Sequence, residues 1–212
     1  ELIFGKHPDA VAKQIESLMH MKPPSSFMDK LGMLGTLFNL KNALPKRLSK
    51  KGTCQTKIYQ EPDLYDLPIL TTWPQDGGPF ITMGQVYTQS LDGTKQNLGM
   101  YRLQVYSKNR LGMHWQIHKD SAHFFHEYKK AGQKMPVSVA IGGDPLYIWC
   151  GQAPMPIGMF ELLLYGFIKD QNARLVKSLT NPIYIPEDTD IVIEGWVDPA
   201  QMEIEGPFGD HT

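Results

Sequence analysis

The stretch "ITMGQVYTQSLDGTKQNLGMYRLQVY" (residues 81–106) sets the grammar of the chain. Its two ends, "ITMGQVYTQ" (81–89) and "LGMYRLQVY" (98–106), are rich in β-branched and aromatic residues. Asp92-Gly93 between them is a turn dipeptide, so the stretch reads as two antiparallel strands. Towards the C-terminus, "LGMHWQIH" (111–118) comes after "SKNR" as a third strand, and "SAHFFHEYKKAG" (121–132) reads as a helix. "MPVSVAIGG" (135–143) is a strand and "PIGMFELLLYGFI" (156–168) an apolar helix. "ARLVKS" (173–178), "PIYIP" (182–186) and "DIVIEGWV" (190–197) supply three more strands. The pattern predicts an antiparallel, barrel-like α+β domain with two helices packed on it.

Towards the N-terminus the pattern changes. "YQEPDLYDLPILTTWPQDGGPF" (59–80) is a loop rich in Pro, Gly and Asp, and the domain boundary is placed within it. Before it, "PKRLSKK" (45–51) reads as a solvated surface segment rather than a polyanion site. "HPDAVAKQIESLMHM" (7–21) is a helix: Pro8 fits its first turn, Asp9 suits its N-terminal dipole, and Val11, Ile15, Leu18 and Met19 share a face. Pro23 and Pro24 end it, and a second helical stretch, "MDKLGMLGTLFNLKNAL" (28–44), comes next.

The 212 residues suit one large domain or two small ones, and 42% hydrophobic with 20% charged residues is a globular composition. A formal net charge of −1 gives no global field favouring nucleic acid or membrane. No apolar run reaches membrane-spanning length. Cys54 and Cys150 stand alone without metal-ligand spacing, which fits a reducing compartment such as the cytoplasm. The chain begins at Glu1 in mid-pattern, and both ends read as cut.

Four features could carry chemistry. Glu161 is the only charge in the apolar run "IGMFELLLYGFI". An unpaired carboxylate there costs several kcal/mol, so it either lies on an exposed stripe or has a partner such as a metal, a cation or a hydrogen-bond set. Arg102 within "LGMYRLQVY" is either an outward-facing strand residue or a guanidinium for a phosphate or carboxylate. His114 and His118, four apart on the predicted third strand, would share a face; alone they do not specify a metal. Glu205 and Asp210 flank a Gly-Pro-Phe-Gly turn in "EGPFGDHT". They are either solvent-facing turn acids or an acid–base pair whose proximity pushes their pKa values apart.

"LPILTTWPQDGGPFIT" (67–82), "NLGMYR" (97–102), "PVSVAIGGDP" (136–145) and "IEGPFGDHT" (204–212) resemble, in sequence and order, the UbiD family of decarboxylases. The resemblance runs from Leu67 to Thr212 and more weakly before it. It implies a partial amino-terminal α/β domain with linker (residues 1–75), followed by a flavin-reductase-like split β-barrel that binds prenylated FMN (residues 76–212). The family's carboxy-terminal assembly domain would be absent. By the same resemblance, metal ligands fall on Asn97, His118 and Glu161. Cofactor contacts fall on Met100, Tyr101, Arg102, His114, Trp115, Gln116, Lys119 and Asp120. The proton donor falls on Asp210, with Glu205 and Arg102 completing its network. His114 stands where many relatives have Arg, and Lys119-Asp120 replaces a basic residue followed by a small one.

The implied activity is non-oxidative decarboxylation of an aromatic acid with prenylated FMN and a divalent ion, typically Mn²⁺. Carboxylate, amide and imidazole suit such a hard ion. The expected substrates are a 3-polyprenyl-4-hydroxybenzoate of ubiquinone synthesis or a naphthoate-type acid of a menaquinone route. A flavin prenyltransferase would supply the cofactor and the full-length protein would be a homo-oligomer. A lipid-tailed substrate would bring a cytoplasmic protein to the inner membrane surface. The rival expectation is a catalytically silent flavin-binding or assembly module. For the 212 residues alone, weak flavin binding and little turnover are expected.

Overall fold

The computed structural model describes residues 1–19, 41–117, 119–156 and 158–209. Helix α1 (Pro8–Met19) packs through Val11 and Ile15. The side chains of Leu18 and Met19, the Pro23-Pro24 stop and nearly all of the second helical stretch lie outside the described residues. The "PKRLSKK" segment carries exposed Lys46, Arg47, Lys50 and Lys51, and Lys46–Arg47 form a short strand, β1.

Beyond it lie β2 (Phe80–Ile81), β3 (Gln85–Gln89), β4 (Gln96–Met100), β5 (Leu103–Ser107), β6 (Arg110–Met113) and β7 (Met135–Ile141). The last strands are β8 (Arg174–Lys177), β9 (Tyr184–Pro186) and β10 (Ile191–Val197). Among the described residues of this part of the chain, α-helices α2 (Asp120–Ala131), α3 (Pro145–Cys150) and α4 (Leu162–Lys169) are interspersed. The strands form three sheets, in the orders β1-β8-β9, β10-β7-β3-β4 and β2-β5-β6. All pairings are antiparallel except that of β1 with β8.

Strands β3, β4 and β7 of the four-stranded sheet are buried on both faces; β7 reads accordingly as a nearly unbroken apolar run, whereas β3 also buries Gln85 and Thr88. Alternation sends Tyr87, Leu98 and Ala140 to one face, into a core with Leu146, Leu162, Ile168, Leu175 and Ile185. Val86 and Val139 point to the other face and meet Ile81 and Leu103 of the β2-β5-β6 sheet. The result is a mixed α/β fold in which a central sheet is sandwiched between helices and a second sheet.

Three sequence expectations are corrected. First, neither "ITMGQVYTQ" nor "LGMYRLQVY" is one strand: Ile81 ends β2 in the three-stranded sheet, whereas residues 85–89 form β3 in the four-stranded one. β4 pairs with β3 in the four-stranded sheet, whereas β5 pairs with β2 and β6 in the three-stranded one. Tyr101 and Arg102 form the crossover between them. Strand-like composition continues on both sides of that bend, so composition alone does not reveal it. Second, "LGMHWQIH" leaves the sheet after Met113. His114 is therefore not on a strand, and His118 lies outside the described residues. Third, the apolar helix begins only at Leu162, so Glu161 occupies its N-cap position rather than its middle. Helix α3 escaped the sequence reading although Asp144 caps it, accepting from Leu146 N at 3.0 Å, with Pro145 in its first turn.

Candidate functional site

The β4–β5 crossover separates two groups of polar side chains. On one side, Asn97 (4% exposed) and Glu161 (7% exposed) are buried. The Leu98 N–H donates to Glu161 Oε2 at 2.6 Å, which places the carboxylate against the backbone next to Asn97. Asn97 Nδ2 donates to Ser121 Oγ at 2.9 Å, and Ser121 shares a 3.0 Å hydrogen bond with Thr88 Oγ1 on β3. Thr88 is also the register partner of Asn97.

No ion pair reaches Glu161 among the described residues. Burial pushes its carboxyl up to about 7, against the lowering effect of the N–H donors, while nearby Asp120 raises it further and Lys119 opposes. A buried carboxylate that lacks a cation beside a buried amide is a fit for a hard divalent ion. Among the described residues no three His, Cys, Asp or Glu side chains converge as a ready metal cluster, and His118 is not described.

Tyr101 is 5% exposed. Burial raises its phenol, Ser121 and Asn97 lower it through hydrogen bonds, and Glu161 and Asp120 raise it. Its ring folds back over Gly99, where any Cβ would collide with it. Met100 is half-buried and its N–H donates to Gly151 O at 3.3 Å. Lys119 is the N-cap of α2 in extended conformation, its N–H donating to Gln116 O at 3.1 Å, while the side chain of Asp120 accepts from Gly158 N at 2.8 Å.

On the other side, Arg102 grips Glu205 with two bonds, Nε to Oε1 at 2.7 Å and Nη2 to Oε2 at 2.8 Å. His114 Nδ1 lies 2.8 Å from Glu205 Oε2 and 3.3 Å from Arg102 Nη2. Nδ1–H donating to the carboxylate satisfies the shorter of these, which makes the approach of Arg102 a contact rather than a hydrogen bond. Arg102 first, then His114, holds the Glu205 carboxyl below its ordinary range, against a smaller desolvation penalty. The guanidinium also covers the Phe208 ring at 5.0 Å.

Trp115 packs edge-on against Phe125 with ring centroids 5.3 Å apart. Its Nε1 is the buried side-chain polar atom that has no partner among the described residues. Such an orphan costs roughly 1–3 kcal/mol unless a bound group accepts from it. Gln116 is exposed.

The structure thus brings Asn97, Tyr101, Lys119, Asp120 and Glu161 together in one group and Arg102, His114 and Glu205 in another. Asp210 lies outside the described residues. Sequence reasoning missed Ser121 and Thr88, small hydroxyls without signal of their own. It also missed Gln104 and Asp76, which hold the tail carrying Glu205: Gln104 Oε1 accepts from Gly206 N at 2.7 Å, and Asp76 Oδ1 from Gly209 N at 2.8 Å.

Comparison with known proteins places this geometry. Residues 46–212 match the UbiD family model described as the 3-octaprenyl-4-hydroxybenzoate carboxy-lyase Rift-related domain. An uncharacterized protein of Helicobacter pylori is 56% identical over 212 residues, covering 100% of this chain and 34% of the relative. The chain therefore spans about a third of that relative's length. An evolved dimeric form of the UbiD-class enzyme HmfF from Pelotomaculum thermopropionicum, in complex with prenylated FMN, superposes with a TM-score of 0.75. It is 32% identical, and the match covers 85% of this chain and 43% of that one. The vanillic acid decarboxylase of Sedimentibacter hydroxybenzoicus in its closed form matches at 25% identity with a TM-score of 0.75, over 93% of this chain and 44% of that one. The chain belongs to the UbiD family.

Proposed function

We propose that the protein carrying this chain removes CO₂ non-oxidatively from an aromatic acid, using prenylated FMN and a divalent ion such as Mn²⁺. The observation that carries the reading is the Arg102–Glu205–His114 cluster, a carboxylate kept ionised on a tail turn, set across one crossover from the cation-poor carboxylate Glu161. In this reading Asn97, Glu161 and His118 hold the ion. Met100–Arg102, His114–Gln116 and Lys119–Asp120 hold the cofactor, and the orphan Nε1 of Trp115 gains an acceptor. The β2-β5-β6 and β10-β7-β3-β4 sheets are then the two halves of a split barrel that succeeds a partial amino-terminal domain, with the boundary near residue 75.

When bound, prenylated FMN supplies the electron sink that no side chain offers, and the ion supplies charge to anchor its phosphate. The carboxylate carbon leaves as CO₂, its bonding pair stays on the substrate carbon, and that carbon takes up one proton. Asp210 is the proposed donor. Glu205, held ionised by Arg102, raises the pKa of an acid placed near it and so keeps it protonated near neutral pH. Asp210→Asn in the full-length protein should retain flavin while turnover falls by ~10²–10⁴-fold, the scale for loss of a general acid.

The substrate proposed is a 3-polyprenyl-4-hydroxybenzoate or a dihydroxynaphthoate-type acid, with a flavin prenyltransferase as cofactor source and a homo-oligomer as the working state. The proposed location is the cytoplasm, where Cys54 and Cys150 stay as free thiols, with a lipid-tailed substrate met at the membrane surface. No helix among the described residues is long and apolar enough to cross a membrane. The test is CO₂ release from both acids by full-length protein co-expressed with a flavin prenyltransferase. Release from one of them supports the reading. A flavin absorbance spectrum without release from either would make the chain a silent flavin-binding module.

A further inference from the structure

The tail that carries Glu205 is held by more than its ion pair. Gln104, 4% exposed on β5, spans the gap between the tail and the loop at residues 73–78 with one amide. Its Oε1 accepts from Gly206 N at 2.7 Å and its Nε2 donates to Gly77 O at 2.9 Å. Gly77 N donates to Pro207 O at 2.7 Å. The two backbones touch at glycine: a Cβ on Gly77 would lie 2.6 Å from Gly206 Cα, and one on Gly206 2.7 Å from Gly77 Cα. Asp76 closes the arrangement. Its Oδ2 accepts from Trp73 N at 3.0 Å, shaping its own loop, and its Oδ1 accepts from Gly209 N at 2.8 Å. These backbone donors hold the Asp76 carboxyl below its ordinary range.

We propose that Asp76, Gln104 and the Gly77–Gly206 contact form a latch that fixes the tail turn in register, so that Glu205 meets Arg102 and His114. Asp76 and Gln104 are positioning residues for that cluster. The physical reason is leverage. Glu205 lies in an irregular segment without a ladder of its own, and a carboxylate displaced by about 1 Å loses the two-pronged geometry that charge-assisted bonding requires. The bond to the exposed Gly209 N lies on the far side of the turn from Glu205, so the turn is clamped at both ends. The functional consequence rests on the decarboxylase reading above; the latch itself does not.

The experiment uses the full-length protein with three substitutions that act on the latch by different means. Asp76→Ala removes both acceptors, Asp76→Asn keeps one, and Gly206→Ala forces the backbones apart without removing a side-chain bond. Hydrogen exchange of the peptide covering 203–209 is read alongside flavin content and, on the acid that wild type decarboxylates, kcat and KM. Tail exchange should accelerate about tenfold or more in Asp76→Ala and Gly206→Ala, and less in Asp76→Asn. Exchange over 96–107 and flavin content should hold. Across the series kcat should fall in the order that tail protection falls, with KM little changed. Partial rescue by Asp76→Asn separates positioning from a general loss of fold. Unchanged tail exchange in both Asp76→Ala and Gly206→Ala overturns the latch. Faster exchange with unaltered kcat overturns the positioning role. If wild type releases CO₂ from neither acid, the proposed reaction falls, while exchange at 203–209 still decides whether the latch exists.

Discussion

Glu205 and Glu161 are both inward-facing carboxylates, yet their surroundings drive them in opposite directions. Arg102 and His114 hold Glu205 below the ordinary value of 4.5, whereas burial pushes Glu161 up to about 7. A depressed carboxyl contributes stability that is fully present above its unfolded pKa and is lost as pH falls through the folded one. Docking of the 203–209 tail should therefore persist through the ordinary Glu range and fail only at more acidic pH. Arg102→Ala removes the main cause of the depression, so the tail should release at a higher pH; hydrogen exchange of that peptide across an acid series checks it. Glu205→Gln removes that titration, so its tail should be looser than wild type at neutral pH, and the acid dependence that remains should be that of the Asp76 latch. Glu161 needs a different test. If it and Asn97 hold an ion, added Mn²⁺ should raise the Tm of the cofactor-free full-length protein by binding the native state. Glu161→Gln keeps the size, removes the charge and should abolish that rise. A Glu161→Gln protein whose Tm still climbs with Mn²⁺ would place the ion elsewhere.

The crossover between β4 and β5 is the element on which both groups depend. Gly99 is register partner of Val86 within the ladder, and Tyr101 just beyond the strand folds its ring onto it. Gly99→Ala puts a methyl where that ring lies, and Tyr101, 5% exposed, has little room to yield. The expected cost is about 1–3 kcal/mol, the range for overpacking, measured by urea unfolding. In a Tyr101→Leu background the ring is gone, so the same substitution should cost clearly less, and additivity of the two would show that they do not touch. Strands β3, β7, β8, β9 and β10 were legible in the sequence because β-branched runs bounded by Gly, Pro and Asp leave few alternatives. The break at Tyr101–Arg102 was not, since the residues on both sides of it share the same strand composition. The end of β6 was hidden likewise: "LGMHWQIH" has strand composition, but His114 N bonds Arg102 O at the crossover and the chain then turns towards α2. The candidate site was legible as chemistry rather than as place. Glu161 stood out as a lone charge, and its burial removes the exposed-stripe alternative. The N-cap position was missed because apolar Met159 and Phe160 extend the "LLLYGFI" run of α4 past Glu161, although Pro156 and Gly158 are breaking signals just before them.

At the scale of the whole molecule, strands β3, β4 and β7 have both faces covered, but the candidate site is not enclosed by the described residues. Leu70 (69% exposed), Trp73 (55%), Ile117 (76%) and Ile204 (94%) are large apolar side chains in or next to the segments that carry the site. Cofactor sites commonly bury most of the ligand in a cleft lined by such side chains. Here the latch loop, the segment after β6 and the tail present them outward. The match to HmfF covers 43% of that chain and the match to the Helicobacter pylori protein 34% of it. In the proposed function, a cofactor resting on these outward-facing segments would be only partly covered by them. The 212-residue chain expressed by itself should then bind FMN at least about tenfold more weakly than the full-length protein, a loss of ~1.4 kcal/mol. Fluorescence titration of FMN into each, at the same Mn²⁺ concentration, measures the difference. The direction has a structural cause that can be separated from misfolding: the Arg102–Glu205 pair and the Gln104 bridge lie wholly within the chain, so tail exchange at 203–209 should match that of the full-length protein. Equal FMN affinity in the two proteins would mean that the split sheets and the crossover hold the cofactor unaided.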